Sequence, residues 1–300
     1  MTTKAPASGW SARARSGAGA AVVAVALAWL SGCADSGSTP TPTPTSATSR
    51  ASESPAPTAD VIKVAVYYAV SSGTDLRLAR EIRPLPDVGG AALTAARAVL
   101  AGEPLDPDYH GLWNPRGEVL GVRAADGVVQ VDLSSSAATS TTGSMGAVLA
   151  VQALVYAVTD ALGAAGSKAP PVQILIAGEV VDQLFGVVGT REPIARADPL
   201  DVRQLVQIDD PNEGDRVSRT VTVAGEAAVF EATMPWRVTT PGGAEVQAGV
   251  ARTAEGQTFS PFSFAVTLKP GKYLVAVTED DPSGGAGGPV ATDTRAIVVA

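Results

Sequence analysis

Few residues in this sequence could carry chemistry, because it contains one cysteine and one histidine. A Ser-His-Asp triad needs a histidine base, and a zinc site needs several histidine or cysteine ligands. His110 stands in Asp106–Pro115, whose prolines favour a surface connection. The serine of Thr142–Gly146 is one place away from that of a nucleophile elbow and fits a helix start better. We therefore expect no catalytic residue, no cofactor and no bound metal.

Two acidic clusters could supply oxygen ligands for a cation. Calcium prefers such ligands, but neither cluster has the spacing of an EF-hand or its closing glutamate. We therefore expect both clusters to be solvated turns. The first contains Asp209, Asp210, Asn212, Glu213 and Asp215, and the second contains Glu279, Asp280 and Asp281.

The N-terminus has the parts of an export signal. Lys4, Arg13 and Arg15 give a positive start without acidic residues. Ala18–Trp29 follows as an apolar stretch of about a dozen residues, which is too short to span a bilayer. Residues 1–32 are therefore predicted to be a signal peptide.

Leu30–Cys33 places small residues directly before the single cysteine and resembles the lipobox of bacterial lipoproteins. The resemblance implies that the Cys33 thiol carries a lipid and that Cys33 becomes the new N-terminus. A single cysteine cannot form an internal disulfide. We expect Cys33 to be the lipidation site. The alternatives are a plain signal peptide with an incidental cysteine, or an uncleaved membrane anchor.

Residues 33–60 are predicted to be a disordered tether, because Ser, Thr and Pro dominate and few residues could form a core. The formal net charge of the chain is -8 although it includes the basic signal segment. An acidic surface repels nucleic acid phosphates, so we expect no nucleic acid partner. Attachment to the membrane would depend on the lipid.

Residues 61–200 predict a first module of α+β class, a small sheet with two helices on one of its faces. β-branched runs predict strands, helical spacing predicts the two helices, and Asp126–Gly127 predicts a hairpin turn. The strands are expected at Val61–Tyr68, Leu76–Leu85, Val119–Arg123, Val128–Leu133 and Val172–Ala177, and the helices at Ala91–Leu100, capped by Gly102, and Ser144–Leu162.

Several stretches of this module together resemble the GerMN domain of sporulation and spore germination proteins. They are Tyr67–Tyr68, Arg97–Gly102 with the ending LAGEP, Val128–Ser134 (VVQVDLS), Gln152–Asp160 (QALVYAVTD) and Val172–Gly178 (VQILIAG). The resemblance implies an extracytoplasmic module without recognised catalytic residues. It also implies a fold similar to that of ring-building modules of envelope assemblies.

Residues 204–300 predict a second module, an all-β antiparallel sandwich, because short strands alternate with Gly- and Pro-containing turns. The large residues expected in its core are Phe230, Trp236, Phe264 and Tyr273. The strands are expected at Val217–Ala224, Ala228–Trp236, Val246–Thr253, Phe262–Leu268, Tyr273–Thr278 and Ala296–Val299.

Val221–Val238 and Phe259–Leu268 resemble the Gmad2 domain, an immunoglobulin-like module found beside GerMN. The similar features are a turn at Gly225, the pair Phe230–Glu231, and Trp236 one strand-length later. We expect Glu231 to be an ordinary surface or cross-strand carboxylate. The alternative is that Glu231 has a functional role.

Together these patterns predict a lipid-anchored protein of the cell membrane that faces outside the cytoplasm. Its two modules would be non-catalytic and would bind an envelope protein or a cell-wall glycan. Two alternatives remain at this point. One is an envelope hydrolase acting on cell-wall or ester substrates, and the other is a ring-forming structural assembly subunit.

Overall fold

Two separate hydrophobic cores organise the folded chain, one built from residues between Val64 and Val202 and one from residues between Val206 and Val299. The structure, a computed structural model, describes residues 60–72, 75–139, 142–164, 168–281 and 290–300. The predicted signal peptide, Cys33 and the tether up to residue 59 lie outside the described residues. We call the elements around the first core the first module and those around the second core the second module.

The first module combines helices with two main sheets, one antiparallel and one mixed. One sheet has the order β2-β1-β3, the other has the order β4-β5-β6-β7 with β5 and β6 parallel, and β8 and β9 form a small hairpin. The elements are β1 (Val61–Ser72), β2 (Asp75–Pro86), α1 (Ala91–Ala101), β3 (Tyr109–His110), β4 (Val119–Ala125), β5 (Val128–Leu133), α2 (Ser144–Ala161), β6 (Val172–Ile176), β7 (Glu179–Val180), β8 (Gln183–Leu184), β9 (Val188–Gly189) and α3 (Pro199–Val202).

Helix α2 is the central element of this module and packs against α1, β1 and β2. Leu154, Val155 and Val158 are fully buried on it. Among the described residues it is the helix that is long and apolar enough to cross a membrane, but most of its length is buried inside the module. Burial on this scale is that of the core helix of a globular domain.

The predicted helices and main strands are present within a few residues of their expected limits. Helix α1 ends at Gly102, which has a φ of 64° and whose N–H donates to the carbonyl of Ala98. Only glycine adopts this left-handed geometry without strain, which is why the helix stops there. The division of the strands between two sheets was not predicted, because strand periodicity does not reveal pairing partners.

The second module is a sandwich of two sheets, with strand orders β10-β12-β15 and β11-β17-β16-β13-β14. Neighbouring strands are antiparallel except for β11 and β17. The α+β module followed by an all-β sandwich agrees with the predicted fold class. The strands are β10 (Val206–Asp210), β11 (Arg216–Val217), β12 (Thr220–Ala227), β13 (Thr233–Thr239), β14 (Glu245–Arg252), β15 (Ser260–Thr267), β16 (Gly271–Thr278) and β17 (Thr292–Val299).

The predicted strand Ala228–Trp236 is wrong in its first half. Phe230–Ala232 forms a short 3-10 turn in which Glu231 has a φ of 57°, and the strand begins only at Thr233. Phe230 is 50% exposed and therefore does not belong to the core. Trp236 does, and its ring stacks on Phe264 with a centroid distance of 4.7 Å.

The predicted turn at Gly225 is also wrong, because Gly225 lies inside β12 between β10 and β15. A Cβ at this position would lie 1.9 Å from the carbonyl oxygen of Gln207 on β10. The absence of a side chain therefore allows the close approach of two strands.

We predict that Gly225→Ala destabilises the protein by about 1–3 kcal/mol, because β10 and β12 must move apart to accept the methyl group. Gly121→Ala on β4 is the matched control, since no atom lies within 4 Å of its added Cβ. Urea unfolding of both variants measures the difference. Equal stability of the two variants would contradict the close approach at Gly225.

Candidate functional site at the junction of the two modules

The two modules are joined by main-chain contacts between β2 and the segment that leads into β10. The N–H of Gln204 donates to the carbonyl of Leu78 at 2.9 Å. The side chain of Gln207, which is fully buried, donates to the same carbonyl at 3.1 Å. The first residues of the second module are therefore hydrogen-bonded directly to strand β2 of the first module.

The centre of the junction is Arg295 on β17, which is only 1% exposed. Its guanidinium donates to Asp106 Oδ2 at 2.6 Å, to Asp293 Oδ1 at 2.8 Å and to the carbonyl of Ile208 at 2.8 Å. It also donates to the hydroxyl of Tyr109 at 3.0 Å. Asp106 and Tyr109 belong to the first module, and the other three residues belong to the second.

The first module positions its part of this network through Glu81 on β2. The buried Glu81 carboxylate accepts hydrogen bonds from the backbone N–H groups of Leu105 and Asp106, each at 2.9 Å. Tyr109 on β3 donates its own hydroxyl proton to Asp293 Oδ1 at 2.8 Å. The loop before β3 is thus held in place to present Asp106 and Tyr109 to the second module.

Burial dominates the protonation behaviour of this network. It raises the pKa of Asp293 and of Asp106 above the ordinary values, although Arg295 opposes the shift. Burial also disfavours the charge of Arg295, but Asp293, Tyr109 and Asp106 together outweigh it, and the pKa of the guanidinium is raised. Each charged member therefore needs the others, because none is solvated by water.

A cavity of about 680 Å³ opens along the junction and is lined by residues other than those of the Arg295 network. Its walls come from the first module, from the segment around α3 and from the second module. The side chains that carry charge or aromatic surface in these walls are Tyr67, Arg80, Tyr156, Asp160, Arg196, Asp198, Arg203, Glu226 and Phe259.

Arg80 and Arg203 form a charged group with two carboxylates on one wall of the cavity. Arg80 binds Asp209 through two hydrogen bonds and lies 3.3 Å from Glu226, to which Arg203 donates at 3.0 Å. Burial opposes the charge of Glu226, but the two arginines outweigh burial and lower its pKa.

The prediction that the first acidic cluster is a solvated turn is therefore wrong for Asp209. Asp209 lies on β10, and its side chain is mostly buried against Arg80 of the first module. Glu213 is also engaged, because its carboxylate accepts a hydrogen bond from the N–H of Ala296 at 2.7 Å. The acidic residues were visible in the sequence, but the arginine that faces Asp209 comes from a distant strand.

Two guanidinium groups of the cavity lie over aromatic rings. The guanidinium of Arg196 is 4.0 Å from the ring centroid of Tyr156, and that of Arg203 is 4.2 Å from the ring centroid of Phe259. Asp160 accepts hydrogen bonds from both Arg196 and the hydroxyl of Tyr67. The Nε atoms of Arg196 and Arg203 are buried without a hydrogen-bond partner among the described residues.

The arrangement is suited to recognition of a polar ligand. It combines arginine donors, carboxylate acceptors and the partly exposed ring of Phe259 in one concave surface. Pockets between domains with a few converging polar groups are common binding sites. Neither a serine nor the single histidine lines this cavity.

The residues singled out in the sequence lie elsewhere. His110 is exposed on β3, and Ser144 is the first residue of α2, as its sequence context predicted. Glu231 is exposed in its turn, where an ordinary surface carboxylate was favoured. Within the described part of the chain no group of three or more His, Cys, Asp or Glu residues is arranged for a metal ion.

Sequence reasoning missed Arg295 and Asp293 as junction residues. The sequence of Thr292–Val299 did contain an indication. Asp293 and Arg295 alternate in step with the apolar Ile297 and Val299, which places all four on the buried face of the strand. Charged residues at inward positions of a strand require partners, because an unpaired buried charge is very unfavourable. The sequence could not show that the partners are Asp106 and Tyr109.

Comparison with known proteins agrees with this two-module architecture. A family model described as "Sporulation and spore germination" matches residues 65–182, and one described as "Immunoglobulin-like domain of bacterial spore germination" matches residues 205–286. The chain therefore carries a GerMN domain followed by a Gmad2 immunoglobulin-like domain, two modules related to sporulation and germination proteins. The expected domain types and their order are confirmed.

Among solved structures, the chain is similar to the first GerMN domain of the sporulation protein GerM from Bacillus subtilis, with 18% identity and a TM-score of 0.34. That match covers 45% of this chain and 95% of the other. The tandem GerMN domains of the same protein match with 15% identity and a TM-score of 0.37, over 69% of this chain and 61% of the other. No curated protein matches the chain significantly.

We predict that Arg295→Met destabilises the protein by about 3–5 kcal/mol at neutral pH, because it leaves two buried carboxylates without their cation. The pKa values of Asp106 and Asp293 are higher in the folded protein than in the unfolded chain. The folded protein therefore binds protons more readily, so a fall in pH favours folding and a rise in pH removes this contribution. Removing Arg295 raises both carboxylate pKa values further. The deficit of the variant should therefore shrink on acidification.

Urea unfolding of Arg295→Met and of the wild type at about pH 7 and about pH 4.5 tests this expectation. Arg191→Met is the matched control, because the ion pair of Arg191 with Asp182 is largely exposed and should contribute less than about 1 kcal/mol. A similar loss for the two variants would contradict the central role of Arg295.

Proposed function

We propose that this chain is a lipid-anchored envelope protein of the bacterial cell membrane, facing outside the cytoplasm, whose two modules bind as one unit. The lipid is attached at Cys33, residues 1–32 are the signal peptide that is removed, and the Ser/Thr/Pro-rich tether lifts the modules off the membrane. Its ligand is an envelope protein or a cell-wall glycan. No nucleic acid, cofactor or metal takes part.

The observation that carries the binding function is the buried network around Arg295. A flexible pair of domains would expose its own linker, whereas here the two modules share a charged, buried interface. A fixed interface keeps the cavity walls in one arrangement, so binding requires little ordering of the protein. The assignment of both modules to germination-related families supports a non-catalytic role.

The cavity at the junction is the proposed contact surface for the ligand. Hydroxyl, amide or carboxylate oxygens of a glycan or a polypeptide match the arginine donors, and the partly exposed Phe259 offers an apolar contact. Guanidinium groups that stack on aromatic rings are held in orientation before the ligand arrives.

Neither alternative has an observation in its favour. A hydrolase of the expected type needs a nucleophile beside a base, and His110 makes no side-chain hydrogen bond to another described residue. A ring needs a head-to-tail surface, which the contacts of one chain do not define. Non-catalytic binding is therefore the proposal that the geometry supports best.

For Cys33→Ala, we expect the protein to move from the membrane fraction to the soluble extracytoplasmic fraction. The physical reason is that the acyl chains, each methylene contributing about 0.8 kcal/mol, would provide the membrane affinity. Cell fractionation and intact-mass measurement of the mature protein test this. A wild-type mass without lipid, together with unchanged fractionation of the variant, would disprove the lipid anchor.

For the binding surface, we expect Thr258→Cys, labelled with a photo-reactive maleimide in intact cells, to cross-link to an envelope component. Thr258 lines the cavity and is exposed, and the lipidated Cys33 would not compete for the label. The mass and protease sensitivity of the product distinguish a protein from a glycan. Thr220→Cys, exposed on β12, is the control, and equal cross-linking at both positions would contradict a cavity-specific contact.

A further inference from the structure

The four edges of the second-module sandwich differ in how they are protected. Exposed strand edges invite pairing with another chain, and proteins usually cover or interrupt them. Strand β10 is covered by β2 of the first module, and β11, the edge beside β17, is only two residues long. The edge strand β15 carries Pro261, which has no N–H to donate to a further strand.

Strand β14 contacts β15 of the other sheet, but it is long and is not interrupted by proline. It spans eight residues, Glu245–Arg252, and pairs with β13 on one side, while no described residue pairs with its other side. It contains neither proline nor lysine, and Val246 and Val250 on it are 47% and 59% exposed. Long unprotected apolar edges are the usual sites of strand pairing between chains.

The edge strand is firmly attached to its own sheet. Gly249 lies directly against the indole of Trp236, because a Cβ there would be 2.5 Å from a ring carbon. Trp236 itself stacks on Phe264 in the core. The strand is therefore fixed in position with its second edge open.

The charges of β14 make it complementary to a second copy of itself. On the outer face of the sheet, Arg252 lies opposite Thr233 and Glu245 lies opposite Thr239, after a register shift near that end. The two opposite charges thus occupy the same face at the two ends of the strand, with Ala248 and Val250 between them. Neither charge has an ion pair among the described residues.

Two copies of β14 can pair antiparallel about a two-fold axis at Gly249. This register places Ala248 of each copy opposite Val250 of the other. Arg252 of each copy then lies opposite Val246 of the other and next to Glu245, which precedes Val246 along the strand. Opposite charges and apolar residues in cross-strand positions stabilise such pairs. Arg237 on the neighbouring strand β13 lies opposite Ala248, so it is not placed directly opposite a charged residue of β14.

We propose that the protein forms a two-fold symmetric dimer in which the five-stranded sheets of two copies join through β14. An interface that uses the same surface twice closes at two subunits and cannot extend to a ring. The dimer would present two junction cavities from one assembly. This proposal does not depend on the proposed ligand or on the lipid anchor.

Charge reversal of the strand ends tests the dimer. Analytical ultracentrifugation of the purified full-length chain in detergent should give a dimer for the wild type. Arg252→Glu and Glu245→Arg alone should each be monomeric, because each creates two like-charge contacts across the symmetry axis. We expect the dissociation constant of each to rise by at least about tenfold.

The decisive measurement is an equimolar mixture of the two single variants. In a heterodimer both contacts again join a positive and a negative charge, so the mixture should recover dimers that contain one copy of each variant. A mass tag on one variant identifies them. Lys272→Glu is the control, because it reverses an exposed charge on the interior strand β16 and should leave the dimer intact.

Several results would overturn the proposal. They are a monomeric wild type at high concentration, an assembly larger than two, a dimer unaffected by either reversal, and a mixture that stays monomeric. Circular dichroism and thermal unfolding of each variant show whether it is folded. Since both substituted side chains are exposed, we expect unchanged unfolding temperatures of the monomer.

Discussion

The placement of Arg295 between two carboxylates is the constraint on which the arrangement of the modules depends. A buried guanidinium requires partners from every side, and here they come from both modules: Asp106 and Tyr109 from one, Asp293 and Ile208 from the other. Replacement of such a network by apolar residues can be equally stable, whereas loss of one member is not. The network therefore joins the two modules through contacts that neither module can make alone.

The junction cavity follows from that arrangement of the modules. Arg80 comes from β2 and Glu226 from β12, and their contact exists only while the two modules remain in register. The same holds for Arg203 and the ring of Phe259. The shape of a cavity made of parts from two domains is sensitive to the angle between them, and the buried ionic network contributes to fixing that angle.

The two proposed surfaces are separate parts of the chain. The cavity uses the side of the sandwich where β10 and β12 meet the first module, and β14 forms the far edge of the other sheet. A dimer through β14 would leave both cavities available. Two attached sites bind a polymeric or repeated ligand more tightly than one, because the second contact becomes intramolecular.

The sequence by itself determined the elements: the helical spacing that produced α2, the glycine that ends α1, and the alternating strands of the second module. It also indicated the two domain types, because short local stretches of the sequence resemble those of known domains. Such stretches can be recognised without knowing which distant residues they contact. The sequence did not determine that Gly225 lies inside a strand, that Phe230 is exposed, or that Asp209 is buried. Only the tertiary structure decided these points and the partners of Arg295, because contacts between Asp106 and Arg295 depend on how two separately folded cores meet.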